Sequence, residues 1–332
     1  MIKILELFGG IGAPRKALIN LGVEHKAIDY VEIDEKAVRS YNAMYDRLHK
    51  PQSVVGWNLR PDILVHGSPC QDFSRSGKRL GGNDEDKTRS SLMWETLRII
   101  ENMGNWRPRV VVWENVKGVL DKDMIHSFNK YLNRMNELGY TNSFEVLNAM
   151  DFGVPQGRER VITISMLDGI HFDFGQLKKT PMRHINEFLE LNVTGEQYQI
   201  NIPSMLNRIE EFNPGVRGKY RPLDVIEDRC WTISTRQDRC PNAGIIRQDD
   251  GTYRYLTERE CWRLMGFTDD DFDQAAAEFP SIPGKRNATL YKLAGNSIVV
   301  QVLEAIFEAI LAPSEQKHDF NSTTDGQLQL IV

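Results

Sequence analysis

Asp62-Ile63-Leu64-Val65-His66-Gly67-Ser68-Pro69-Cys70-Gln71-Asp72-Phe73 joins a short apolar run to a polar loop bent by a proline. The run predicts a buried strand over 62–67, and the loop sets the Cys70 thiol just beyond its carboxyl end. In open α/β sheets that edge is where ligands bind. Arg109-Val110-Val111-Val112-Trp113-Glu114-Asn115 repeats the pattern, with a strand over Val110–Trp113 that delivers the Glu114 carboxylate to the same edge. A thiol and an acid on two strand ends make a nucleophile-and-acid pair.

Blander readings exist for both residues. Free cysteine is often a small buried hydrophobe, and Glu114 has a surface cation within reach in Lys117. The polar neighbours Ser68, Gln71 and Asp72 count against the first, and the donors and acceptors of Asn115 against the second. A free thiol titrates near ~8.5, so supplying the thiolate at neutral pH costs ~2 kcal/mol. Arg158 and Arg160, folded over the loop, would offset that.

Strands and helices alternate on either side of these segments. Ile2–Phe8 is an apolar strand that runs into Gly9-Gly10-Ile11-Gly12. Pro14 suits the first turn of a following helix and Gly22 its end. Ala27–Val31 forms a second strand, after which Asp34 can cap a helix with Ala37, Val38, Tyr41 and Tyr45 on one face. Leu92, Met93, Leu97 and Ile100 mark another helix, and Phe128, Tyr131, Met135 and Leu138 a further one that stops at Gly139. Strands near Phe144–Leu147 and Arg160–Met166 follow. This order predicts an α/β fold with a doubly wound, mostly parallel sheet.

Regularity fades after Leu167. Residues 178–256 mix short segments with prolines and glycines, and predict a smaller irregular domain. Thr257-Glu258-Arg259-Glu260 is a capping box. A last helix is expected from Asn296-Ser297 through Val300, Leu303, Ile306 and Ile310. The expected organisation is therefore 1–177 as the large domain, 178–256 as the insert and 257–332 as a return to the large domain. A polar tail beyond Pro313 is expected to be loosely held.

Hydrophobic content of 41% and charged content of 26% fit a globular chain with a sizeable core. Glu6 interrupts the place where a signal peptide keeps its apolar stretch, and no run approaches the ~20 apolar residues of a membrane span. Cys70, Cys230, Cys240 and Cys261 contain no CxxC pair, which argues against zinc ribbons and disulfides and for a reducing cytoplasm. A net charge of -5 requires any nucleic-acid footprint to be local. Residues 217–247 supply one: seven basic side chains, Arg221 and Arg236 among them, stand against four acids.

Phe8-Gly9-Gly10-Ile11-Gly12 lets a ligand approach backbone at a helix N-terminus, but it lacks the third glycine of a dinucleotide fingerprint. Glu32 ends the second strand where such sites hold a ribose-binding acid. Gln156-Gly157-Arg158-Glu159-Arg160 is either a charged surface turn or a set of phosphate and base contacts.

Taken in order, Phe8–Gly12, Glu32, Pro69-Cys70-Gln71, Glu114-Asn115-Val116, Gln156-x-Arg158-x-Arg160, Leu256-Thr257 through Gly266, and Gly295-Asn296-Ser297 resemble the DNA (cytosine-5)-methyltransferases of the compact bacterial and phage type. Each motif is modest alone; the ordered set, spanning residues 8–298, is specific. The resemblance implies a Rossmann-like fold that uses S-adenosylmethionine, with 178–256 as the target-recognition domain. It implies Cys70 as nucleophile at cytosine C6, Glu114 at N3, Arg160 at the cytosine carbonyl with Arg158 beside it, and Asn115 holding the active-site loop. Phe8, Gly9, Gly10, Ile11, Gly12, Glu32, Ile33, Asn58, Pro69, Leu92, Asn296 and Ser297 are then the expected cofactor contacts. Where the family usually places an Asp near the adenine, this chain has Trp57-Asn58. Gln71, Ser74, Gln156, Arg221 and Arg236 are the expected substrate contacts, with Ser74–Lys87 closing over a base flipped out of double-stranded DNA. The resemblance implies a monomer in a bacterial host cytoplasm that needs neither metal nor membrane. An RNA-modifying branch of the same architecture carries Cys-Phe-Thr in its recognition region, whereas here the cysteines are followed by Trp231, Pro241 and Trp262.

Overall fold

The structure, a computed structural model, describes residues 1–332 apart from 46, 57–58, 69–91, 168, 210–221, 313–319, 323–327 and 331–332. Asn58, Pro69, Cys70, Gln71, Ser74, the Ser74–Lys87 loop and Arg221 therefore lie outside the described residues.

The first half contains Ile2–Leu7 (β1), Ala13–Asn20 (α1), His25–Val31 (β2), Glu35–Tyr45 (α2), Ile63–His66 (β3), Leu92–Asn102 (α3), Val110–Val116 (β4), Ile125–Glu137 (α4), Thr141–Asn148 (β5), Gln156–Gly157 (β6) and Glu159–Met166 (β7). Six of these strands form one sheet in the order β2-β1-β3-β4-β7-β5. β1 pairs parallel with β2 and β3, and β3 with β4, while β7 runs antiparallel to both its neighbours. The expected doubly wound, mostly parallel sheet is present.

Side-chain alternation explains why both faces are covered. Ile4, Ile63, Val65, Val110 and Val112 point into one core, shared with Ala17 and Leu18 of α1 and Val38 and Tyr41 of α2. Leu5, Leu7, Leu64, Val111 and Trp113 point into the other, built with α3 and α4 through Leu97, Ile100, Phe128 and Tyr131. The helices change faces across β3: α1 and α2 cover one side of the sheet, α3 and α4 the other, and β2 and β3 flank β1. The topological switch thus lies at the carboxyl ends of β1 and β3.

Pro203–Leu206 (α5), Cys230–Trp231 (β8), Ile245–Arg247 (β9) and Tyr253–Tyr255 (β10) make up the irregular region. It has its own small core of Ile200, Ile209, Leu223, Ile245, Tyr253 and Tyr255. Ile185 and Phe188, by contrast, pack into the large core. The short β8 pairs with β6 in a two-stranded sheet of its own and so joins the insert to the chain just ahead of β7.

Glu258–Arg263 (α6), Asp269–Glu278 (α7), Ala288–Asn296 (α8) and Val300–Leu311 (α9) complete the large core, followed by the antiparallel pair Phe320–Ser322 (β11) and Leu328–Leu330 (β12). The capping box is formed: Thr257 accepts from the Glu260 amide and Glu260 from the Thr257 amide. The start of the last helix needs correction. Asn296 ends α8, residues 297–299 are extended, and α9 begins only at Val300. The cause is a contact from far along the chain, because Arg158 takes the Gly295 and Ser297 carbonyls that a continuous helix would need. Ala288–Leu311 is long and apolar enough for a membrane span, yet it is broken there and its most apolar stretch is mostly buried inside the protein.

Arg254 of β10 and Glu260 of α6 form a two-pronged ion pair at 2.8 Å on each prong, both side chains buried. The same carboxylate accepts from the Thr257 and Glu190 amides, so it ties three segments together. Arg254→Met leaves a buried charge without its cation and should cost ~3–5 kcal/mol in urea denaturation. A loss below ~1 kcal/mol would mean that the pair is solvated rather than structural.

Candidate active site

The end of β1 opens into a loop with three left-handed residues: Phe8 at φ 56, Gly10 at 53 and Gly12 at 78. Phe8 is the costly one, since a side chain is disfavoured there. Tyrosines from β2 and α2 explain two of the glycines. A Cβ on Gly9 would lie 2.6 Å from the Tyr30 ring, and one on Gly12 2.6 Å from that of Tyr41. Above Gly10 the space is open. Gly10 is held from both sides: its amide donates to Glu32 Oε2 at 3.0 Å, and its carbonyl accepts from the Tyr30 hydroxyl at 2.5 Å. Glu32 Oε1 accepts from the Ile33 and Asp34 amides, both at 2.8 Å. Ile33 is 72% exposed, an apolar side chain left in solvent beside a carboxylate. The fold thus brings Phe8–Gly12, Glu32 and Ile33 together. Ile11 is buried and can meet a ligand only through its backbone. Leu92 is half-buried at the start of α3, and Asn296 is exposed at the end of α8 while Ser297 is buried.

A charge that the sequence reading passed over lies beneath this loop. Glu6 of β1 is fully buried and accepts from Tyr41 Oη at 3.1 Å, while Arg15 Nη1 donates to the same hydroxyl at 2.9 Å. Burial lifts the Glu6 carboxyl from 4.5 to about 7 against the opposing pull of Arg15 and the Tyr41 hydrogen bond. The available signal was an acid inside an apolar strand, the same signal that singled out Glu114.

At the next strand ends, Arg160 Nε meets Glu114 Oε1 at 2.9 Å, with both side chains mostly buried. Pairing extends β4 past Trp113 to Val116, opposite Arg160, so Glu114 sits inside the ladder and diagonal to Arg160 on one face. A Cβ on Gly67 would lie 3.7 Å from Glu114 Oε2, which sets the carboxylate beside the chain three residues before Cys70. Ser68 is fixed by the Trp113 indole, which donates to its hydroxyl at 3.0 Å. Asn115 is buried; its Oδ1 accepts from the Val116 amide, and its Nδ2 has no partner among the described residues. His66, just upstream, is pushed down to about 3 by complete burial, too weak a base to take a thiol proton at neutral pH.

Two expected site residues do something else. Gln156 is buried, donating to the Leu264 carbonyl at 2.8 Å and accepting from the Ile233 amide at 3.1 Å. Arg158 is buried too and donates to the carbonyls of Ile233 at 3.1 Å, Gly295 at 3.2 Å and Ser297 at 2.7 Å. Gln156, Arg158 and Arg160 stand at alternate positions, but the insert and the α8–α9 link cover the first two. Only Arg160 reaches Glu114. In the insert Arg236 is exposed, and the Arg229 guanidinium stacks 4.2 Å over the ring of Trp231, an exposed aromatic that charge counting did not find.

A doubly wound sheet with a glycine loop at its switch point, a strand-end acid beside that loop and an acid–arginine pair farther along the same edge fits a Rossmann-like methyltransferase fold. Solved structures agree on that fold. The Dnmt2 methyltransferase of S. pombe aligns with a TM-score of 0.72 over 94% of this chain and 98% of its own, at 19% identity. The methyltransferase EhMeth of Entamoeba histolytica gives 0.73 over 93% and 98%, also at 19%. The pattern of the C-5 cytosine-specific DNA methylase family matches residues 2–312, and the chain belongs to that family. Its sequence is 30% identical to Type II methyltransferase M2.ScrFI of Lactococcus lactis subsp. cremoris, over 93% of this chain and 99% of the relative. It is 32% identical to Type II methyltransferase M.NgoBI of Neisseria gonorrhoeae, over 92% of each. The chain is a DNA (cytosine-5)-methyltransferase.

Glu6 makes stability depend on pH. The folded state keeps a proton that the unfolded chain releases, so stability falls as pH rises from 4.5 to about 7 and is level above. Relative to Glu6→Gln, the native protein should lose about 3 kcal/mol across that window in urea denaturation. A difference independent of pH would show that Glu6 ionises as readily in the fold as in the unfolded chain.

Proposed function

We propose that the protein methylates C5 of a cytosine flipped out of a short double-stranded DNA word, through a covalent bond between Cys70 and C6. The observation that carries this reading is the Glu114–Arg160 pair beside Gly67, at the strand end that leads to Cys70. Cytosine C5 is a poor nucleophile. Addition of the Cys70 thiolate at C6, with Glu114 protonating N3, moves the ring's electron pair so that C5 becomes enamine-like. Arg160, on the same face, meets the C2 carbonyl. The orphaned amide of buried Asn115 suits it to hold the Cys70 loop. Loss of the C5 proton, followed by departure of the thiolate, restores aromaticity after methylation.

S-adenosylmethionine, the methyl donor of the family, supplies a methyl group on a sulfonium. The residues at the β1–β2 edge fit it: open space over Gly10, the Glu32 carboxylate for ribose hydroxyls, and exposed Ile33 as an apolar surface for adenine. Leu92, Asn296 and Ser297 complete the proposed set. Residues 178–256 are proposed as the target-recognition domain, with exposed Arg236 reading a base edge, since arginine is the commonest bidentate partner of guanine. The role would be DNA modification, either beside a restriction enzyme or on a phage genome. Labelled methyl transfer to DNA, with tRNA as the alternative acceptor, tests the reading; label in tRNA alone would overturn it.

Cys70→Ala should abolish methylation while leaving donor binding intact, and DNA carrying 5-fluorocytosine in the target should trap the native protein as an adduct on a denaturing gel. Turnover of Cys70→Ala within about tenfold of native would remove Cys70 as nucleophile. Glu114→Gln should lower single-turnover methylation by ~10²-fold or more with DNA affinity unchanged, because an amide cannot deliver the N3 proton. Equal losses in affinity and rate would make Glu114 structural.

A further inference from the structure

The buried arginine that misses the catalytic pair bonds two parts of the molecule at once. Arg158 Nη1 donates to the carbonyl of Ile233, in the segment that leads to exposed Arg236. Its Nη2 donates to the carbonyls of Gly295 and Ser297, at the end of α8. The same two parts touch directly: a Cβ on Gly295 would lie 2.5 Å from the backbone of Ser234 and Thr235. The first turn and the middle of α8 are anchored to the donor edge. Lys292 pairs with Asp34, two residues past Glu32, and Lys36 Nζ donates to Thr289 Oγ1 at 2.9 Å. Left to burial, the Asp34 carboxyl would rise; the Lys292 ammonium outweighs that and holds it below the usual range. One short helix therefore spans from the Glu32–Asp34 edge to the segment that carries Arg236.

We infer that Arg158 and α8 act as a strut that registers the methyl donor against the target base, Arg158 being a positioning residue. This rests on the proposed covalent mechanism. The sheet fixes Glu32 relative to Glu114, but the base is presented by an insert that is attached elsewhere. Once the Cys70 thiolate has added to C6, the enamine C5 has two competing fates. It can take the methyl and then lose its own hydrogen, or it can take a proton from water, after which departure of the thiolate with loss of the original C5 hydrogen regenerates cytosine. The second path consumes no donor and exchanges the C5 hydrogen. A misplacement of ~1 Å between reactants can cost ~10²-fold in transfer, whereas water needs no alignment. Loss of the strut should therefore uncouple base capture from methylation.

The test uses duplex DNA tritiated at C5 of its cytosines, with Arg158→Lys and Gly295→Ala. Lysine cannot span three carbonyls in the guanidinium's plane; alanine removes no hydrogen bond but forces the Ser234–Thr235 backbone away from α8. In the native protein one tritium is released per methyl added. In both variants the ratio of tritium released to methyl added should rise above about ten, and release without any donor should stay within about threefold of native. A ratio that stays at one while both rates fall would make the contact a fold element only and overturn the inference. Should Arg158→Lys fail to fold, Gly295→Ala decides alone. A native protein that neither releases tritium nor methylates any DNA would overturn the methyltransferase mechanism itself, and the strut with it.

Discussion

Everything at this site follows from the burial of both faces of the sheet. Val110, Val111, Val112 and Trp113 are buried in succession, alternately into the two cores. Each such side chain contributes ~1.5–3 kcal/mol by leaving water, and a charge on the same strand finds no water until the carboxyl edge. Glu114 lies at that boundary, one turn of the ladder past Val112, with an arginine to meet it. Glu6 shows what happens one layer deeper. Its carboxyl, fully enclosed, is lifted to about 7 even with Arg15 and Tyr41 beside it. Position along the strand decides whether an acid comes to the edge of the sheet or becomes part of the scaffold.

That scaffold role has a visible object. Tyr41 links Glu6 to Arg15, and its ring stacks 3.7 Å from that of Tyr30, whose hydroxyl holds the Gly10 carbonyl. The left-handed turn at Phe8 and Gly10 is therefore supported from below by a buried polar chain and from the side by Glu32. Strain of this kind persists only where its surroundings over-determine it. The cost of burying Glu6 and the cost of bending Phe8 are two parts of a single arrangement, a loop whose backbone is kept open toward a ligand.

How much of this the sequence disclosed depends on what kind of information each residue needed. Strand order, the glycine loop, Glu32 and the Glu114 edge were legible because apolar periodicity and a single interrupting acid specify them locally. Glu6 carried that same signal, but it lay inside the first strand, where only the position of Tyr41 and Arg15 reveals its use. Gln156 and Arg158 were read as a charged surface turn or as phosphate and base contacts, yet spacing says nothing about what covers a side chain, and the cover comes from Ile233 and Ser297, some 75 and 139 residues away. The break between α8 and α9 was hidden for the same reason. Residues 288–311 are apolar enough to read as continuous helix, and it is a distant guanidinium that takes the carbonyls at the break. Charge counting found the basic window of the insert but could not tell exposed Arg236 from Arg229, whose cation is laid on Trp231.

The antiparallel strand β7 makes the arrangement possible. In the parallel part of the sheet each strand begins at the far edge and ends at the ligand edge, so its first residues are remote from the chemistry. β7 runs the other way between β4 and β5, pairing Arg160 with Val116 at the ligand edge and Met166 with Val110 at the far one. Its amino-terminal residues are therefore the ones beside Glu114. Directly upstream lie Arg158 and the β6 pairing to the insert. Five consecutive residues, 156–160, thus hold the insert, clasp the end of α8 and supply the arginine that meets the acid. A parallel strand in this position would have carried the same sequence to the opposite edge, where neither Glu114 nor the glycine loop could be reached. The reversal lets one short segment fix the insert, the helix end and the Glu114 carboxylate in a common frame.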